Sequence, residues 1–104
     1  MVPRRGEVWW AELEETGRRP FLVITREAAI PVLRTVVAAP VTRTIRDIPT
    51  ELPLGPDDGM PSESAASFDN LRAIPKANLV ERICILSEDR IHEACRALRL
   101  SLDC

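Results

Sequence analysis

Tyrosine is absent from this 104-residue chain, histidine occurs once, and the aromatic residues are two tryptophans and two phenylalanines. The lone histidine, His92, excludes any chemistry that needs a histidine pair, including two-histidine acid–base cleavage of a phosphodiester. Cys84, Cys95 and Cys104 are odd in number and have no close pair, which suits a reducing compartment better than a disulfide framework. Without a Cys-x-x-Cys spacing, and with one histidine, a tetrahedral zinc site has no ligand set. The four glycines form neither Gly-x-Gly-x-x-Gly nor a phosphate loop, so no cofactor and no metal are expected. The longest mostly apolar run, TVVAAPV, falls far short of the ~20 residues needed to cross a bilayer. The start, MVPRRGEVWW, lacks the apolar core of a signal peptide, so the expected location is the cytoplasm, with no membrane partner.

What is present describes one globular domain over residues 1–104, with 45% hydrophobic and 29% charged residues. EVWWAEL, residues 7–13, is rich in strand formers. EETG then turns the chain into a second strand, from about Arg19 to Thr25, giving a hairpin. REAAIP reads as a short turn ended by Pro31, and VLRTVVAAPVT as a buried central strand with Pro40 near its end. Ile48, Leu52 and Leu54 keep even spacing among prolines that confine their segment to a sheet edge or an extended loop. GPDDGMPSES is the most loop-like stretch. AASFDNLRAI and VERICIL read as further strands, with PKANL turning between them. Ser87 is placed to cap a final helix whose first turn carries Glu88 and Asp89. Ile91, Ala94, Cys95 and Leu98 then form one apolar stripe, leaving Arg96 and Arg99 outside. The expected fold is mainly β, a small antiparallel sheet structure with a C-terminal helix.

Charge is unevenly placed. The net charge is −2, but residues 1–46 hold eight arginines against five glutamates, for +3, and the remaining 58 residues carry −5. A phosphate-facing surface therefore belongs in the N-terminal half, although well-mixed solvated charge is the simpler reading. Arg19 stands between Arg18 and Pro20, and the proline restricts its backbone to extended conformations. A guanidinium held this way presents a fork of donors to a phosphate gaining charge in a transition state. Thr42, closing AAPVT, would place a hydroxyl at the mouth of the central strand. Taken singly, each is equally an arginine on a rim and a threonine capping a strand.

The order of the motifs adds to this. RRGEVWWAEL, RRPFLVITR, VVAAPVT and SESAASFDNLRAIPKANL, followed by an amphipathic helix, closely resemble the MazF/PemK toxin family of sequence-specific endoribonucleases, from about Arg5 to the terminal helix. The resemblance implies a Src-homology-three-like small barrel that works as a homodimer, cuts single-stranded RNA and is silenced by a cognate antitoxin. It puts the family's catalytic arginine on Arg19 and its catalytic threonine on Thr42. A serine is placed on Ser64 by its spacing to Asn70, Leu71 and Arg72, with Ser62 a close rival. The implied reaction is attack of the ribose 2′-hydroxyl on the neighbouring phosphorus, giving a 2′,3′-cyclic phosphate and a 5′-hydroxyl. Arg18, Arg26 and Arg43 are expected on the RNA backbone. Trp9 and Trp10 alternate, so one faces the core and the other a groove or dimer face. Trp9 is the expected RNA contact, and Phe21 and Phe68 read as core. The short EETG departs from the longer loop common in the family, so no recognition sequence carries over. Two binding-only alternatives are a CcdB-like gyrase inhibitor, disfavoured because LRLSLDC lacks a terminal tryptophan, and a non-catalytic RNA-binding barrel.

Overall fold

The computed structural model describes residues 2–104. Seven antiparallel strands form it: β1 (Glu7–Leu13), β2 (Gly17–Val23), β3 (Thr35–Thr42), β4 (Glu51–Leu54), β5 (Ser64–Ser67), β6 (Arg72–Pro75) and β7 (Leu79–Ile85). One helix, α1 (Glu88–Leu102), follows. The strand order is β4-β5-β3-β2-β1-β7, with β6 pairing β3 as well.

β3 is the strand on which the architecture turns. On one side it meets β2, through Val23 with Ala38, Leu22 with Ala39 and Phe21 with Pro40. Along its other side it pairs first with β6, from Thr35 with Pro75 to Ala38 with Arg72, and then with β5, at Val41 and Thr42. β5 and β6 therefore occupy one lane antiparallel to β3. The sequence suggests a single strand over AASFDNLRAI, but the chain leaves this lane in a helical turn at Phe68–Asn70. That excursion drives Phe68 into the core and lies beside Pro40, which has no N–H to offer a ladder. The central strand also starts later than its apolar pattern indicates, because Pro31 to Arg34 form a turn that leaves Val32 in solvent.

The curved sheet buries residues on both faces, which is why its strands alternate imperfectly. Trp9, Ala11, Leu13, Phe21, Val36 and Ile74 share one core. Val8, Leu22, Val41, Leu54 and Phe68 share another, which α1 covers with Ala94 and Ala97. Ile91, Cys95 and Leu98 flank that contact half-buried. Ser87 caps α1 by accepting the Arg90 N–H at 3.3 Å, satisfying one of the free donors of the first turn. The buried carboxylate of Glu7 takes three donors: the Arg4 N–H at 2.7 Å, the Trp9 indole N–H at 2.9 Å and Arg82 at 3.1 Å. A carboxylate survives burial only with such partners.

Candidate active-site groove

The starts of β2 and β5 and the end of β3 surround a groove of about 780 Å³. Arg18, Arg19, Thr42, Arg43, Ser62 and Ser64 all line it. Residues far apart in sequence meet here because β1 aligns Ala11 with Arg19, while Thr42 sits opposite Ala65, next to Ser64, on β5. A much smaller gap of about 10 Å³ between α1 and the sheet is apolar, a packing space without room for a ligand.

The lining side chains differ in how their polar atoms are engaged. Arg19 is exposed, donates through Nε to the Thr16 carbonyl at 3.3 Å, and has no carboxylate partner among the described residues. Its terminal nitrogens thus have no partner among the described residues, in a side chain that lines the groove. Thr42 Oγ1 accepts the Thr44 N–H at 3.1 Å, which occupies a lone pair and leaves its O–H to donate elsewhere. Ser64 is buried and donates to the Leu54 carbonyl at 3.3 Å or the Ser62 carbonyl at 3.5 Å, so its proton is held inside. Ser62 is the more accessible of the two serines.

Two other arginines of the groove are tied to carboxylates. Arg18 reaches across the Trp10 ring, 5.2 Å from its centroid, to pair with Glu81 at 2.6 Å. The strand register explains this bridge. Trp10 is paired with Pro20 on one side and with Glu81 on the other, so the side chain of Arg18 crosses three strands. Arg72 pairs with Glu15 at 2.5 Å, and that hydrogen bond, helped by a backbone N–H of the same turn, holds the Glu15 carboxyl below its ordinary range. Among the described residues no three His, Cys, Asp or Glu side chains converge as metal ligands.

Two expected contacts lie elsewhere. Trp9 is buried in phase with Ala11 and Leu13 and spends its indole N–H on Glu7, so Trp10 is the tryptophan that reaches the groove. The signal was available, because Trp10 alternates with the solvent-facing Glu12. Arg26 is exposed beyond the end of β2, outside the groove lining, where its carbonyl accepts from Ala29. Arg72 and Asn70 are groove residues that the motif order does not single out. They arrive through the Phe68–Asn70 turn, which periodicity reads as uninterrupted strand.

The fold is a small antiparallel β structure with an arginine-lined groove at its open side. Residues 4–102 match the family model described as the PemK-like, MazF-like toxin of type II toxin–antitoxin system. The chain is 44% identical to "Probable endoribonuclease MazF5" of Mycobacterium tuberculosis (strain ATCC 25618 / H37Rv), over 99% of this chain and 95% of that protein. It is 40% identical to "Probable endoribonuclease MazF2" of the same strain, over 97% and 99%. Among solved structures, "Endoribonuclease in complex with its cognate antitoxin from Mycobacterial species" superposes with a TM-score of 0.88 at 27% identity, covering 98% of this chain and 96% of that one. "Mycobacterium tuberculosis toxin MazF-mt6" does so at 0.85 with 32% identity, covering 93% and 96%. The chain belongs to the PemK-like, MazF-like toxin family, and it is an RNA-cleaving enzyme of the toxin–antitoxin kind.

Proposed function

We propose that this toxin, with residues 1–104 acting as one domain, cuts single-stranded RNA without a metal ion and thereby inhibits translation and growth. The 2′-hydroxyl of the RNA gives up its proton to solvent water and attacks the adjacent phosphorus, the bond to the 5′-oxygen breaks as that oxygen takes a proton, and the products are a 2′,3′-cyclic phosphate and a 5′-hydroxyl. Because the nucleophile comes with the substrate, the protein need only position the phosphate and stabilise its growing charge. The observation that carries this reading is the pairing, in one groove, of an arginine with no carboxylate partner among the described residues and a threonine whose O–H is free to donate.

Arg19 stabilises the pentacoordinate phosphorus and protonates or shields the departing 5′-oxygen, while Thr42 donates to a non-bridging oxygen. Ser64 shapes the site through the β4–β5 backbone, and Ser62 supplies the accessible hydroxyl. Arg18, Arg43 and Trp10 hold the strand on either side, the tryptophan by stacking a base. Arg26 meets the phosphate chain outside the groove.

The working unit is a homodimer in the cytoplasm, and an acidic segment of a cognate antitoxin blocks the groove by pairing with its arginines. In support, the mycobacterial endoribonuclease that superposes on this chain was solved in complex with its cognate antitoxin. The test is incubation with mixed-sequence RNA in EDTA, comparing wild type with Arg19→Ala and Thr42→Val and mapping the ends chemically. Discrete cuts with cyclic-phosphate ends that vanish in Arg19→Ala are the expected result. Metal-dependent cuts, or 5′-phosphate ends, would refute the reaction.

A further inference from the structure

Beyond Thr42 the groove continues into a second depression of about 250 Å³. Pro40, Thr42, Thr44 and Asn70 line both spaces, and Glu51 and Ser67 line only the second. Glu51 and Ser67 face each other across the β4–β5 pair, and both are buried, at 7% and 5% exposure. Carboxylates are rarely this buried without a cation, yet among the described residues none pairs with Glu51. Its Oε1 accepts the Arg46 backbone N–H at 3.0 Å. Its Oε2 meets no donor among the described residues, and none of their fully buried side-chain oxygens lacks a partner, so Oε2 opens toward the depression. Ser67 Oγ accepts from the Asn70 amide at 2.9 Å, which leaves its O–H free. At the rim, the Arg46 guanidinium is exposed and unpaired among the described residues.

We infer that this depression holds one nucleobase beside the scissile phosphate, and that Glu51 selects there a base with an exocyclic amine over uracil. The inference rests on the RNA-cleaving reading of the groove and adds a specificity residue to it. A carboxylate in a channel for a polyanion weakens the attraction for phosphate, so it needs a partner that brings donors. Guanine, adenine and cytosine each bring an amine. Uracil offers one donor, N3–H, flanked by two carbonyl oxygens that crowd and repel the carboxylate, so it satisfies Oε2 less well than an exocyclic amine does. The free O–H of Ser67 donates to the acceptor nitrogen beside that amine in adenine or cytosine and to the O6 carbonyl in guanine, and Arg46 takes the phosphate of the same nucleotide. Single-stranded RNA is read in this way, along its Watson–Crick edges.

The experiment compares wild type, Glu51→Gln, Glu51→Asp and Arg46→Ala in two assays. One maps cut sites in mixed-sequence RNA. The other selects binders from a randomised 2′-O-methyl RNA pool, which cannot be cut, and sequences them. Wild type should exclude uracil at one position of its selected sequence. Glu51→Gln keeps an acceptor for the Arg46 N–H but exchanges the charge for an amide, and it should weaken that exclusion about tenfold. Glu51→Asp withdraws the carboxylate and should do the same, covering the case in which the glutamine variant fails to fold. Arg46→Ala should weaken all sequences evenly and leave the preference intact. An unchanged preference in both Glu51 variants, or a wild type that accepts uracil everywhere, overturns the inference. Absence of cutting by wild type would refute the nuclease reading alone, since the uncuttable pool reports on Glu51 separately.

Discussion

Replacing Arg19 should separate catalysis from stability more cleanly than any other change in the groove. Its side chain is exposed, has no ion pair among the described residues and makes one hydrogen bond, to the Thr16 carbonyl. Arg19→Ala should therefore change stability by no more than about 0.5 kcal/mol, the usual scale for surface positions. Its effect on the reaction should be far larger. Removing one preorganised donor from a developing oxyanion typically costs about 2.7–4 kcal/mol, or roughly 10² to 10³ in rate. Arg19→Lys retains the charge but not the planar fork, so it should recover only part of that loss.

The assay is single-turnover cleavage of an oligonucleotide with one ribose in an otherwise deoxy strand, at saturating protein, followed by thermal melting of each variant. A fall of about 10² or more in the chemical step, with melting unchanged, is the expected outcome. If the rate at saturation stays the same and only affinity declines, Arg19 is a binding residue and the transition-state reasoning fails. A large drop in melting temperature would contradict the exposed, weakly tethered placement of the side chain.

Other perturbations test neighbouring parts of the structure. Trp10→Ala should weaken binding of an uncuttable RNA by about 1–3 kcal/mol, the scale of base stacking, with little loss of stability. Trp9→Ala should instead cost about 3–5 kcal/mol in denaturant unfolding, because it empties a buried site and removes one of the three donors to the buried Glu7. Asp58→Asn should cost about 1.5–3 kcal/mol by breaking the 2.9 Å pair with Arg90 that ties α1 to the Pro56–Asp58 turn. Acid titration tests Glu15, whose folded carboxyl titrates below its unfolded value. Its contribution to stability is present above the ordinary carboxylate range and disappears as pH falls through the lowered folded value. Glu15→Gln should lower the melting temperature slightly at neutral pH and converge with wild type in acid, which flattens the acid limb of the profile over that window.

Local chemistry decided much of this protein before any tertiary contact. The β1–β2 hairpin follows from EVWWAEL, a turn and RRPFLV. The capped, amphipathic α1 follows from Ser87, two acidic residues and an apolar stripe, because capping and periodicity act within a few residues. Arg19 and Thr42 were equally legible as candidates, since a proline after an arginine and a threonine at a strand end are local features.

Which side chains meet was a different matter. Trp9 and Trp10 have the same chemistry, and although the alternation of Trp10 with Glu12 pointed the right way, it was the core shared by Trp9, Ala11 and Leu13 that enclosed Trp9 and left Trp10 at the groove. Phe68 interrupted a strand that its neighbours favour, because its burial outweighs local propensity once β3 supplies Pro40 beside it. Glu51 reads in sequence as an unremarkable charge among prolines. Its burial opposite Ser67, with one oxygen left for the groove, exists only after β4 pairs with β5, since long-range pairing alone fixes which polar atoms are satisfied and which remain open.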